Sequence, residues 1–267
     1  MDGMKAINYK GGKLYTVPQS DIEYIGYFKG NNGNETVQSA RTRIANLRGR
    51  APDFLMNAEL FDFDTRKAAS DVVSGGVKHR LTEGYGLAFP GNKSAVFSYK
   101  NNVGAPDYIG AYPVLVRNGK EEGSVPSGIG GRRGRTALGI GNGNLFVALL
   151  PDNGGATLPE LRRAFINAGA ENAINLDGGG STQFYAPLGN YFSGRRVRGF
   201  IGVWIRGGDI RKVKVRTSLN IRAGAGVLSK RVGKLYNGDV VTVLEEKNGW
   251  ARIATGWVSA KYLVKKQ

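Results

Sequence analysis

The sequence predicts an α+β protein in two parts: a mixed-sheet α/β domain over residues 1–207, then a second, small all-β barrel over 208–267. Three observations carry that division. Helix-period and strand-like apolar segments alternate through the first part. At Arg206-Gly207-Gly208-Asp209 the composition shifts to short β-rich runs split by Gly and Asn turns. The charge shifts at the same place. Residues 206–267 hold 14 Lys and Arg against 4 acids, a net of +10, whereas residues 1–205 hold 24 against 17, a net of +7.

The elements follow in chain order. Asp21 to Phe28 and Phe54 to Asn57 read as strands, and Val37, Ala40, Ile44 and Leu47 give a helical face between them. Leu145 to Leu150 is a continuous apolar run, the pattern of a central strand covered on both faces. Thr157 and Glu160 have capping-box spacing, Leu158, Leu161, Phe165 and Ala168 recur at helical intervals, and Gly169 supplies the stop. Ala173-Ile174-Asn175-Leu176 is then a short buried strand, and Val197 to Ile205, containing Trp204, is another. Beyond the seam, Leu219–Arg222, Val240–Leu244, Trp250–Ile253 and Gly256–Val258 are strands separated by Asn237-Gly238-Asp239 and Asn248-Gly249. Their spacing suggests a barrel near the lower size limit for independent folding. Core packing is expected for at least one of Trp250 and Trp257.

Composition excludes several kinds of chemistry. The chain has no cysteine, which removes disulfides, thiolate catalysis and cysteine metal sites. It has a single histidine, His79, so a Ser-His-Asp triad would depend on that residue and zinc would rest mostly on carboxylates. Acid–base work falls to Asp and Glu, with Tyr or Lys as helpers. No cofactor or metal is called for. No apolar run approaches the roughly 20 residues that span a bilayer, so membrane insertion is not expected. The start, Met1 to Asn8, has no apolar signal core, so secretion through a signal peptide is not expected either. The formal charge of +17 implies an anionic partner: nucleic acid, a membrane surface or a bacterial wall polymer. No recognised nucleic-acid module or aromatic–basic platform accompanies it.

The chemistry concentrates in Asn175-Leu176-Asp177-Gly178-Gly179-Gly180-Ser181-Thr182. Asp177 sits at the carboxyl end of a strand, and three glycines let the backbone turn sharply and bring bare N–H groups to a ligand. That geometry suits an anionic or sugar substrate beside an acid; a tight turn whose Asp bonds its own backbone is the alternative. Asn57 and Glu59 end an apolar strand and could project from a sheet edge. Arg132, Arg133 and Arg135 form a dense basic loop, and guanidinium forks match phosphate oxygens. Arg195-Arg196-Val197 adds further basic residues before the last strand of the domain. His79, in the basic glycine-containing loop Gly75–Arg80, reads either as a surface or hydrogen-bonded structural histidine or as a phosphate contact or acid. Ser181 lacks a nucleophile elbow, and the glycine run lacks the Gly-Lys-Ser/Thr ending of a P-loop.

Two resemblances sharpen these expectations. Leu219-Asn220-Ile221-Arg222-Ala223-Gly224, Gly238 to Leu244, Asn248-Gly249-Trp250 and Gly256 to Leu263 look like a bacterial SH3-like domain. Such domains commonly bind cell-wall material and are appended to wall hydrolases and phage lysins. Residues from about 50 to 206 resemble the phosphodiester glycosidase family, whose best-known activity removes N-acetylglucosamine from a phosphodiester on mannose. The match is strongest over Arg135-Thr136-Ala137-Leu138-Gly139 and over Leu158 through Thr182. Where the family has an Asn-Gly-Gly-Phe-Phe-like segment, this chain has Asn57-Ala58-Glu59-Leu60-Phe61, so Glu59 departs from the pattern.

The resemblance implies cleavage of the bond between a sugar's anomeric carbon and a phosphate, and the expected substrate is an N-acetylhexosamine phosphodiester of a wall polymer. Asp177 and Glu59 are the candidate catalytic carboxylates. Asn57, Arg135, Gly178, Gly179, Gly180, Ser181, Thr182, Arg196 and His79 are the candidate substrate contacts. The expected partner is teichoic acid or peptidoglycan, reached by phage-lysis-like release. The rival readings are a muralytic endolysin acting on peptidoglycan, and a non-catalytic wall- or phage-tail-binding protein; nucleic-acid binding ranks behind both.

Overall fold

A computed structural model describes residues 4–125, 128–206, 209–253 and 255–265. The expected boundary at 207/208 lies outside the described residues. Strands up to Ile205 pair with one another, and strands from Asp209 onward do likewise.

Three antiparallel sheets build the larger part. A seven-stranded sheet runs Lys5–Tyr9, Gly12–Pro18, Asn144–Leu150, Arg135–Gly141, Asn172–Asn175, Val114–Arg117, Lys120–Glu121. A five-stranded sheet runs Gly189–Tyr191, Phe184–Ala186, Phe54–Asn57, Gly199–Ile205, Ile22–Lys29. A further five-stranded sheet contains the hairpin Val72–Ser74 and Val77–Arg80. The main core lies between the first two sheets and takes Leu145, Val147 and Leu149 from one face of the strand Asn144–Leu150. Phe146, Ala148 and Leu150 enter a second core under helix α2 (Leu158–Asn167). This corrects the mixed-sheet expectation: the described pairings of these sheets are all antiparallel. The unbroken apolar run imitates a parallel strand because this strand is buried on both sides, the condition that erases alternation in either sheet type.

Helix α1 (Val37–Arg48) is capped by the Thr36 side chain and ends at Gly49 with φ 71°. Its Val37, Ala40 and Ile44 are buried against Leu55, Phe200 and Trp204, but Leu47, expected on that face, is 68% exposed. The last turn covers the sheet with Arg48, whose guanidinium lies 3.6 Å from the Tyr24 ring centre, and leaves Leu47 outward. Helix α2 has the predicted capping box, with Thr157 Oγ1 accepting from the Glu160 amide at 3.3 Å and Glu160 accepting from the Thr157 amide at 2.9 Å. No helix among the described residues is long and apolar enough to cross a membrane.

The smaller part pairs Val240–Val243, Asp209–Val213 and Leu263–Lys265 in one sheet, and five strands from Ser218 to Ser259 in another. Its core is Val213, Leu219, Ile221, Val241, Val243, Ala251, Ile253, Val258 and Leu263. Neither Trp250 nor Trp257 belongs to it; both are half-buried on the barrel surface, which corrects the core-packing expectation. Val, Leu, Ile and Ala fill this interior. Arg50 joins the two parts: its guanidinium donates to Thr242 Oγ1 at 3.3 Å while pairing with Asp53 at 2.9 Å and Glu23 at 2.8 Å.

Candidate active site

Three chain segments meet at one end of the second sheet. The Asp177 amide donates to Ala58 O at 3.0 Å, and the Ala58 amide donates to Gly199 O at 3.0 Å. Asp177, Glu59 and Arg198 are therefore neighbours, although far apart in sequence.

Asn57 is the scaffold of this junction. It is fully buried, and its Nδ2 donates to Asp177 O at 2.7 Å. Its Oδ1 accepts from Thr136 Oγ1 at 2.7 Å and from the Gln183 amide at 3.2 Å. Expected as a substrate contact, it is committed to protein on both ends and positions the Asp177 loop instead.

Each glycine of the loop has its own reason. A Cβ on Gly178 would stand 2.7 Å from Gly134 O, so the backbones pass too closely for a side chain. Gly179 has φ 57°, in the left-handed region. A Cβ on Gly180 would lie 2.7 Å from Arg195 Nη2, so its missing side chain makes room for a guanidinium. That Arg195 donates to Ser181 Oγ at 3.2 Å. Ser181 is buried, which leaves its hydroxyl as a fixed point for Arg195. Thr182 is buried too, and its hydroxyl has no hydrogen-bond partner.

Asp177 is half-buried, and burial raises its carboxyl from 3.8 to about 6. The Ser181 hydroxyl, the Gly178 amide (2.9 Å to Oδ1) and the charge of Arg195 resist the rise, while the nearby Glu59 adds to it. Glu59 is buried with Arg198 Nη1 and Tyr27 OH both 2.5 Å from its Oε1. Burial lifts its pKa above the ordinary carboxylate value, against the hydrogen bond from Tyr27 and the charge of Arg198. Its Oε2 is buried without a partner. Arg198 also donates to Tyr27 OH at 3.0 Å, and its Nε to Arg66 O at 3.1 Å. Gly199 is small because a Cβ there would be 2.1 Å from the Tyr27 hydroxyl.

Other predicted contacts sit differently. Arg135 is buried and donates to Ala156 O, Ile129 O and Gly131 O at 2.9, 2.7 and 2.6 Å. Burial and the charge of Arg133 pull its pKa down to about 10. It clamps the basic loop onto the sheet and does not offer its fork to phosphate. Arg196 is exposed, with Nη1 3.3 Å from Asn34 O. His79 lies on the exposed strand Val77–Arg80, not in a loop; desolvation and the charges of Arg198 and Lys29 lower its pKa. It therefore stands within electrostatic reach of the site, outside its hydrogen bonds. Among the described residues, no group of three or more His, Asp and Glu could hold a metal.

The sequence does not single out Arg198 or Tyr27, and it offers Arg195 only as part of the basic segment Arg195-Arg196-Val197. Arg198 left a trace there: an arginine inside the buried run Val197–Ile205 needs a partner. Glu59, the departure from the family pattern, is that partner.

Two carboxylates of raised pKa thus share one junction, with Arg198 paired to Glu59 and Arg195 bonded to Ser181 in the Asp177 loop, the arrangement of a candidate active site. Residues 54–204, more than half of the chain, match the phosphodiester glycosidase family, and the chain belongs to that family. Residues 217–264 match the bacterial SH3 domain. The fold is similar to a hypothetical protein from Synechocystis, with TM-score 0.58 and 15% identity over 76% of this chain and 61% of that one. It is also similar to the zebrafish N-acetylglucosamine-1-phosphodiester alpha-N-acetylglucosaminidase catalytic domain auto-inhibited by pro-peptide. That likeness has TM-score 0.57 and 16% identity over 76% of this chain and 83% of that one. A stretch of 52 residues, 18% of the chain, is 46% identical to Bacillus subtilis (strain 168) YrvJ, named as a candidate N-acetylmuramoyl-L-alanine amidase. The stretch spans only 10% of that protein.

Proposed function

We propose that this hydrolase cleaves a sugar-1-phosphodiester, an N-acetylhexosamine-1-phosphate diester in an anionic bacterial wall polymer, and that the basic barrel holds it on that polymer. The observation that carries the reading is the junction itself: the Asp177–Ala58 hydrogen bond brings two carboxylates together with Arg195 and Arg198 beside them.

In this reading ionised Asp177 takes a proton from the water that attacks the anomeric carbon. The bond from that carbon to the phosphate oxygen breaks, and the phosphomonoester leaves with the bonding pair. A phosphate leaves well without full protonation, so the site's main work is electrostatic. Arg195, fixed by Ser181 Oγ, faces the departing anion, and the Gly178–Gly180 turn lets the phosphate approach the backbone. Glu59 sits opposite Arg198 as the charge that stabilises the oxocarbenium-like sugar. The bacterial SH3 match, the net charge of +17 and the amidase name of YrvJ support a wall polymer as substrate.

The test is hydrolysis of a panel of hexosamine-1-phosphodiesters, with purified wall teichoic acid and peptidoglycan beside them, by the parent enzyme and Asp177→Asn. Free sugar released by the parent and absent with the variant is the expected result. Cleavage of peptidoglycan alone would assign a muralytic enzyme, which the similarity to an amidase favours as the second reading. No turnover on any substrate, with wall binding intact, would leave a binding protein.

A further inference from the structure

Beside the two carboxylates stands an aromatic–arginine platform of which the hydrolytic steps use Arg195 alone. Phe61 and Phe63 lie with ring centroids 4.9 Å apart at an interplanar angle of 58°. Phe61 is buried, but Phe63 is 53% exposed. The guanidinium of Arg195 lies 5.1 Å from the Phe63 ring centre, and that of Arg66 lies 5.5 Å from the Phe61 ring centre. Both arginines lead straight to the hydrolytic centre. Arg195 is bonded to Ser181 in the Asp177 loop, and the Arg66 carbonyl holds Nε of Arg198, the partner of Glu59.

The turn that presents Phe63 is rigid. The Asp62 amide donates to Lys67 O and the Arg66 amide to Asp62 O, each at 2.9 Å. Asp62 Oδ1 accepts from the Asp64 amide, the Thr65 amide and Thr65 Oγ1 at 3.1, 2.7 and 2.8 Å. That carboxylate is spent on its own turn. Arg66 and Lys67 close the turn, and Arg66 Nη1 reaches Arg196 O at 3.5 Å, so cations gather on this rim. An aromatic ring held in water by a preorganised turn, with cations on its flank, has the makings of a carbohydrate–phosphate site. The ring takes the apolar face of a sugar at low entropic cost, and the arginines take phosphate.

We propose that Phe63, with Arg195 and Arg66, forms a leaving-group subsite for a phosphate-bearing sugar, so that the enzyme reads a repeating sugar–phosphate polymer and not an isolated diester. This rests on the sugar-1-phosphodiester reading and extends it past the scissile bond. The subsite holds the unit on the departing side while Asp177 and Glu59 act on the other.

The test uses the full chain and two synthetic diesters of N-acetylglucosamine-1-phosphate, one with a methyl aglycone and one whose aglycone is a hexose 6-phosphate. Binding is read by calorimetry on Asp177→Asn, and turnover on the otherwise unaltered enzyme, each with and without Phe63→Ala and Phe63→Trp. The expected result is about a ten-fold preference for the phosphohexose aglycone, cut to about two-fold by Phe63→Ala and largely kept by Phe63→Trp. The preference should also shrink as salt is raised from about 0.05 to 0.5 M, because phosphate–arginine attraction is screened. Turnover of the methyl diester with no aglycone preference, or a preference that Phe63→Ala leaves intact, overturns the subsite and leaves the glycosidase reading standing. If neither diester is bound or turned over, the reading falls and the subsite falls with it.

Discussion

The main-chain amide of Asp177 donates to the carbonyl of Ala58 across 3.0 Å, so the chain that carries one candidate carboxylate is stitched to the residue preceding the other. The mutual placement of Asp177 and Glu59 is thus set by backbone, not by flexible side chains. Preorganisation of this kind lets two acids act on one bond.

Asn57 makes that stitch rigid, because its amide satisfies Asp177 O, Thr136 Oγ1 and the Gln183 amide at once. Asn57→Ala leaves all three groups buried and unpaired, so it should cost about 3–5 kcal/mol of folding stability. Its kcat should fall with it while the protein remains folded. Urea unfolding and steady-state kinetics at low temperature check this. A loss below 1 kcal/mol would show the network to be replaceable by water.

Asp177 stands at about 6 because burial raises it from 3.8. The sign follows from linkage: the folded state holds the proton more tightly than the unfolded chain. The stability this group supports is therefore present below the unfolded value and is lost as pH rises through about 6. Above that pH the ionised, half-buried carboxylate opposes folding. Asp177→Asn removes the opposition and should stabilise the protein by about 1–3 kcal/mol at pH 8, with the difference fading below pH 4. Denaturant titrations at both pH values decide it. In the parent, kcat/KM should fall as pH drops below about 6, where the base becomes protonated.

How much of this was legible in the sequence varies from residue to residue. The helix α2 signals, the Asp177 loop and the β-rich tail were readable because capping, glycine punctuation and turn residues are local. Asn57 and Arg135 were read as substrate contacts because polar side chains at strand ends look available. Only the three-dimensional structure shows both buried and bonded to neighbouring segments. Arg198 and Tyr27 were missed because their roles come from the convergence of strands far apart in sequence. The sequence marks Leu145–Leu150 as a central strand, but burial on both faces hides the direction of its neighbours, so the antiparallel pairing is not legible there.

Glu59 and Arg198 form a buried pair, and each alone is a liability. Removing either partner by Glu59→Gln or Arg198→Met should destabilise the fold by about 3–5 kcal/mol, since an unpaired charge stays behind. The double variant should cost clearly less than the sum of the singles. A double-mutant cycle by chemical unfolding measures the coupling. Strict additivity would mean that water already screens the pair.

The three loop glycines should separate by mechanism under alanine substitution. Gly178→Ala drives a Cβ into the Gly134 carbonyl at 2.7 Å, a backbone clash that only a shift of the loop relieves. Gly179→Ala forces an L-residue to φ 57°, which costs about 1 kcal/mol. Gly180→Ala meets only the mobile end of Arg195, which can swing away at little cost to folding. That swing breaks the Arg195–Ser181 hydrogen bond and moves the cation from the Asp177 loop. Gly180→Ala should therefore keep its melting temperature within a few degrees while kcat drops by about ten-fold or more, the scale of losing one charge-stabilising group. Gly178→Ala should lose stability and activity together. If Gly180→Ala retained full turnover, Arg195 would have no part in holding the departing phosphate.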